Sequence, residues 1–176
     1  METTINLYHM NKQLPEARLW SRSYDALFFS DIIKNEAVNT DLYEHKATVV
    51  EPSISNKFCD IVIERHEIST TDAEGTRHQL CSWLYHNTNH IDDNWMLPIV
   101  AGHSQIELVD DNDIWELEHG IYPKIRSTSV DDVITITEDG ITHIYVVDMY
   151  GHTKVATVSD NEFTFCEDRE LNPIGR

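Results

Sequence analysis

Glycine and proline are scarce in this chain, 6 and 5 among 176 residues, and cysteine is rarer still at 3. There is no internal repeat and no low-complexity tract, and intrinsic disorder is not expected. Cys59, Cys81 and Cys166 are odd in number and far apart, so they do not read as a disulfide framework. With no CxxC pair, a zinc ribbon is excluded as well. Their neighbours Phe58, Leu80 and Phe165 point instead to buried thiols in a reducing compartment. Basic residues are outnumbered, 13 Lys and Arg against 31 Asp and Glu, for a formal charge of −18. A surface of that sign repels phosphate backbones and anionic membranes, and no local basic patch is visible in the sequence. No apolar run reaches the ~18–20 residues of a membrane span, and Met1 to Tyr8 lacks the regions of a signal peptide. The expected location is therefore the cytoplasm. The chain also has no P-loop, GxGxxG or GxSxG string, which removes the commonest local signatures of nucleotide-dependent and serine-hydrolase chemistry.

What is present suffices for a core. Hydrophobic residues make up 40% of the chain, and at ~100–200 residues per domain the length allows one ordinary domain or two small ones. Thr3 to Tyr8 suits a strand. Pro15 and Glu16 suit the first turn of a helix, because proline needs no donor there and a carboxylate favours the positive end of the dipole. Trp20, Tyr24, Leu27, Phe28 and Ile32 then repeat at helical spacing to about Asn35, a stripe that reads as core. Ala47 to Val50 suits a strand stopped by Pro52. The runs Phe58 to Ile68 and Thr76 to Tyr85, divided by a turn-rich stretch ending at Gly75, suggest an antiparallel hairpin.

Ala101 to Ser104 marks the best domain boundary, giving an α+β unit over 1–103 and a β unit over 104–176. In the second unit Gln105 to Val109, Tyr122 to Arg126, Val133 to Thr137, Thr142 to Asp148, Lys154 to Val158 and Phe163 to Phe165 are short β-type runs with turn-type separators, Asp110 to Asn112 among them. Asp139-Gly140 is the strongest hairpin signal, since a type I′ turn needs positive φ at both central residues.

Ile106-Glu-Leu-Val-Asp110, Leu117-Glu-His-Gly120-Ile-Tyr122-Pro-Lys-Ile125, the Asp139-Gly140 hairpin and Phe163-Thr-Phe165 together resemble an SH3-like β-barrel of the LxxGxxYxV type, common in small phage and bacterial proteins. The resemblance implies a C-terminal barrel, a phage-encoded chain acting in a host cytosol, and an edge position for Pro123. Such barrels serve many functions, so it implies fold more than activity.

Charge is unevenly spread. From His78 to Thr153 there are 13 acids and 2 bases, and between His78 and Pro123 no Lys or Arg occurs. One reading is plain solubility. The sharper one is an anionic face, interrupted by aromatics, that occupies the basic groove of a nucleic-acid-binding protein by imitating spaced phosphates. Its contacts would be Asp92, Asp93, Asp110, Asp111, Asp113, Glu116 and Glu118, with Trp115 as an apolar anchor.

Two other chemistries compete. Seven of the ten histidines fall in this acidic half. His86 and His90 stand at i and i+4 with Asp93 beyond, a set that on a helix would give three ligands and an open position for a divalent metal. Asn87, Thr88 and Asn89 favour a polar loop there instead. Tyr8-His9 at the end of a first strand, followed by a helix and Ala47-Thr-Val-Val-Glu51, resembles the opening of an ADP-ribosyltransferase, which implies that His9 contacts an NAD ribose. The alternative is a strand-end histidine near solvent. The expected whole is an α+β protein, an N-terminal helix on a small antiparallel sheet followed by an SH3-like barrel. The expected function is a non-catalytic, acidic binding or inhibitor protein. A metal-dependent enzyme, an ADP-ribosyltransferase-like enzyme and a structural virion component are the alternatives.

Overall fold

The computed structural model describes residues 2–13, 43–52, 73–89, 95–148 and 151–166. Over these residues the fold is mixed α+β, with a sheet of seven strands whose pairings are all antiparallel. In chain order come β1 (Thr4–Met10), β2 (Tyr43–Val50), α1 (Ala73–Thr88), α2 (Met96–Val100) and β3 (Glu107–Leu108). Then follow α3 (Asp111–Glu118), β4 (Val133–Glu138), β5 (Ile141–Asp148), β6 (Gly151–Ser159) and β7 (Glu162–Phe165). The helix expected from Pro15 to Asn35, Cys59 and the first arm of the expected hairpin lie outside the described residues. Among the described residues no helix is long and apolar enough to cross a membrane.

The strand order is β3-β2-β1-β4-β5-β6-β7. Val133-Ile-Thr-Ile-Thr137 and Ile144-Tyr-Val-Val147 are rich in β-branched side chains that pack well on a pleated, half-buried surface. Asp139 and Gly140 join them with φ of 53° and 77°, the paired positive values that the hairpin signal requires. Asp160 and Asn161 repeat the device between β6 and β7, with φ of 50° and 65°. Strand β1 pairs with β4 from Thr4 against Thr137 to Tyr8 against Val133. The sheet thus runs continuously from the N-terminal strands into the C-terminal half, across the position of the boundary expected at His103–Ser104. Among the described residues β3 and β7 are its two edges, with no pairing between them.

Two expected strands are corrected. Thr76 to Tyr85 lies within α1. Cys81, Trp83 and Tyr85 alternate as in a strand, but Leu80, Leu84 and Thr88 recur every four residues and are buried, so the helical period prevails. Tyr122 to Arg126 is irregular chain. Pro123 supplies no donor for a ladder, and its carbonyl accepts the Ile125 N–H at 3.0 Å. The separator expected at Asp110 to Asn112 is instead a helix start: the Asp110 carboxylate accepts from the N–H groups of Asn112 and Asp113, an N-cap.

One face of the sheet, with Ile5, Leu7, Val49, Ile134, Ile136, Tyr145 and Val147, forms a core with Leu80, Cys81 and Leu84 of α1 and with Trp95 and Met96. The other face gathers Tyr8, Met10, Tyr43, Val133, Ile144, Val146 and Val155. Cys81 is fully buried and unbridged, and burial pushes its thiol well above the ordinary range, so it is an inert core thiol.

Candidate functional site

Helix α3 carries most of the expected partner contacts. Asp111 and Glu118 are exposed and Glu116 is half-buried. Trp115 is 54% exposed and stacks on His119 at a centroid distance of 4.0 Å. After Gly120 the chain folds back, with the Ile121 N–H donating to the Glu116 carbonyl at 2.8 Å. That return places Ile121 and Tyr122, 48% and 49% exposed, beside the helix end. Trp115, Ile121 and Tyr122 are thus large apolar side chains left half in water, and tryptophan and tyrosine are of the aromatic, amphipathic kind that anchors interfaces.

Two of the expected contacts have internal duties. Asp110 caps the helix, and Asp113 accepts an ion pair from Lys46 Nζ at 3.4 Å. Burial pushes the Asp113 carboxyl up, Lys46 pulls it back, and the neighbouring charges of Asp110 and Glu116 push it up again. Asp92 and Asp93 lie outside the described residues. So do His90 and Asp93 of the expected metal set. His86 is exposed in the last turn of α1. Among the described residues no group of three His, Cys, Asp or Glu side chains is placed to hold a metal ion.

On the other side of Lys46 lies a feature with no counterpart in sequence spacing. A cavity of about 420 Å³ is walled by the end of β1 and the residues after it, by β2, and by the chain from Lys124 to Arg126. Lys12, Lys46, Lys124 and Arg126 line it, against one acid among the described residues, Glu44. A bulge helps to aim Lys46: Leu7 pairs with Ala47 and Tyr8 with His45, so Lys46 is the extra residue of β2, and a bulge redirects the side chain it carries. Lys46 also pairs with Glu44 at 2.9 Å. Burial works to lower its ammonium, but the Glu44 hydrogen bond and the charge of Asp113 outweigh that and raise it.

Two of the lining residues, Met10 and Arg126, are tied together by buried Asp132. Its carboxylate accepts from Arg126 Nη1 and Nη2 at 2.6 Å each, and from the N–H groups of Met10 and Ser129 at 2.8 Å each. Arg126 Nη2 also donates to the Met10 carbonyl at 2.9 Å, and Lys12 Nζ to Ser129 Oγ at 2.7 Å. Together these bonds hold the chain before β4 against the end of β1.

His9 is 4% exposed on the same wall, which corrects the reading of a histidine near solvent. Its Nε2 lies 3.1 Å from Thr128 Oγ1, which lies 2.7 Å from Thr88 Oγ1, which donates to the Leu84 carbonyl at 2.8 Å. Each hydroxyl has one proton. Thr88 spends its proton on Leu84, so Thr128 donates to Thr88 and His9 Nε2–H donates to Thr128. Burial lowers the imidazole to about 4, against the opposing charge of Asp132 and with help from Arg126, Lys46 and Lys12. His9 is thus a neutral, fixed donor at neutral pH.

A second polar network was also not legible in sequence. Glu74 of α1 accepts from Lys154 Nζ at 2.9 Å, from Arg77 Nη2 at 3.0 Å and from the buried Tyr145 hydroxyl at 2.7 Å. Arg77 bridges on to Glu138 at 2.9 Å, and His78 Nδ1 meets His152 Nε2 at 2.7 Å. Burial pushes the Glu74 carboxyl up, but the hydrogen bonds from Lys154, Tyr145 and Arg77 outweigh it and bring it to about 2. This network fastens α1 to β5 and β6 and neutralises Arg77 and Lys154. The four bases at the cavity and these two are all the Lys and Arg among the described residues.

Comparison with family models, curated proteins and solved structures returned no match.

Proposed function

We propose that the protein is a non-catalytic binding or inhibitor protein that docks the acidic, aromatic face of α3 on a basic protein surface, of the kind a nucleic-acid-processing enzyme presents. The observation that carries this reading is Trp115, half-exposed on a helix bearing Asp111, Glu116 and Glu118, in a stretch that contains no Lys or Arg from His78 to Pro123. The carboxylates supply long-range attraction and orientation, and Trp115 with Tyr122 supplies apolar area to bury at contact. Asp111, Glu116, Glu118 and Trp115 are the contacts assigned to the partner; Asp110 and Asp113 support the helix that presents them. Asp92 and Asp93 extend the same run of charge in sequence.

The test is affinity capture from host cytosol at two ionic strengths, comparing the native chain with a variant carrying Trp115→Ala, Asp111→Lys and Glu118→Lys. A basic protein held by the native chain at low salt, released at high salt and absent from the variant eluate supports the reading. Equal capture by both chains contradicts it.

A further inference from the structure

The cavity of about 420 Å³ between the end of β1, β2 and the Lys124–Arg126 segment has the size of a small-molecule site, and its charge is opposite to that of the chain as a whole. We infer that it binds a small phosphate-bearing molecule, with Lys12 and Lys124 as the principal phosphate contacts.

The assignment follows from which cations are already neutralised. Arg126 is engaged on both sides of its fork by Asp132, and Lys46 is shared between Glu44 and Asp113. Lys12 and Lys124 are exposed, and among the described residues neither forms an ion pair. Lys12 uses one of its three donors on Ser129 Oγ. Both therefore bring to the cavity positive charge that no acid of the described residues pairs, and an anion bound there would be attracted by it.

The chemistry of the donors narrows the anion. An arginine fork matches carboxylate and phosphate alike, but Asp132 occupies this one; the lysine ammonium groups that remain act as point charges and attract most strongly the anion with the most concentrated charge, a phosphate before a carboxylate. The rest of the molecule limits its length. A chain of formal charge −18 repels any polyanion that extends past the cavity mouth. The preferred ligand is therefore one whose charge ends inside the cavity, a phosphate monoester rather than a nucleic acid. Asn11 and Gln13 also line the wall, which offers amide donors and acceptors to the neutral part of such a molecule.

This inference does not depend on the docking of α3. It is tested by calorimetric titration of the full chain at low salt with inorganic phosphate, AMP, succinate and a single-stranded oligonucleotide, repeated on a Lys12→Ala, Lys124→Ala variant. Amide NMR of the native chain, following Lys12, Lys124 and Arg126 during the phosphate titration, gives a readout that does not rely on the variant. The expected result is saturable binding of AMP and phosphate, weakened at least about tenfold in the variant, with shifts centred on those three amides. The inference is overturned by the absence of saturable binding, by an unchanged affinity in the variant or by shifts elsewhere. Succinate binding as tightly as phosphate would overturn the choice of phosphate, and an oligonucleotide binding more tightly than AMP would overturn the choice of a small ligand.

Discussion

Arg126 and Asp132 meet through two hydrogen bonds of 2.6 Å each, with the carboxylate fully buried and also bonded to the backbone of Met10 and Ser129. Removing the guanidinium leaves a buried carboxylate with only two neutral donors. Arg126→Ala is expected to cost about 2–3 kcal/mol, below the full cost of breaking a buried pair because the carboxylate is buried but the guanidinium is 37% exposed. Urea unfolding followed by circular dichroism measures it. A loss no larger than that of an exposed surface substitution would contradict the clamp.

Acid should weaken the fold in two successive windows. His9 and His143 are held at about 4 by burial, against an ordinary value near 6.5 in the unfolded chain. As pH falls from 6.5 towards 4, the unfolded chain takes up protons that the folded chain refuses, and stability is lost. Below about 4 that loss is complete. Glu74, held at about 2, contributes stability that is full above its unfolded value and declines as pH drops through 4 towards 2. For His9 the first window is worth on the order of 3 kcal/mol. A His9→Gln variant should therefore show a flatter urea midpoint between pH 6.5 and 4, with the lower window unchanged.

Gly140 sits at φ 77° in the β4–β5 turn, and no atom lies within 4 Å of where a side chain would begin. The cost of Gly140→Ala is therefore backbone strain without a clash, about 1 kcal/mol. Thermal unfolding checks this, and a neutral result would mean that the turn relaxes to another type.

Glu74 joins Lys154, Arg77 and Tyr145 at the junction of α1 with the sheet. Glu74→Gln keeps the size but removes the charge that three donors share, and is expected to cost about 1–2 kcal/mol because the site is half-exposed. The loss should shrink in high salt, which distinguishes charge from shape.

Several parts of this fold were readable from the sequence, and they were the local ones. The Asp139-Gly140 turn states its own geometry, and the β-branched runs beside it could hardly pack otherwise. In Thr76 to Tyr85 alternating aromatics and a four-residue apolar repeat coexist, and only packing against Ile5, Leu7 and Tyr145 decides for the helix. The acid-rich stretch from Asp110 to Glu118 was visible as composition, but the N-cap role of Asp110 and the Lys46 pair of Asp113 depend on the fold. The cavity was not readable at all. Lys12, Lys46, Lys124 and Arg126 come from three separate segments, and only the pairing of β1 with β2 and the Asp132 clamp bring them to one place.

The docking of α3 is tested most directly by the salt dependence of association. With the basic protein recovered by capture, stopped-flow rates for the native chain should fall steeply as salt rises. The Asp111→Lys, Glu118→Lys variant should associate more slowly at low salt, with a flatter salt dependence. Native and variant chains associating at the same rate, with the same salt dependence, would contradict the claim that this helix is the docking face.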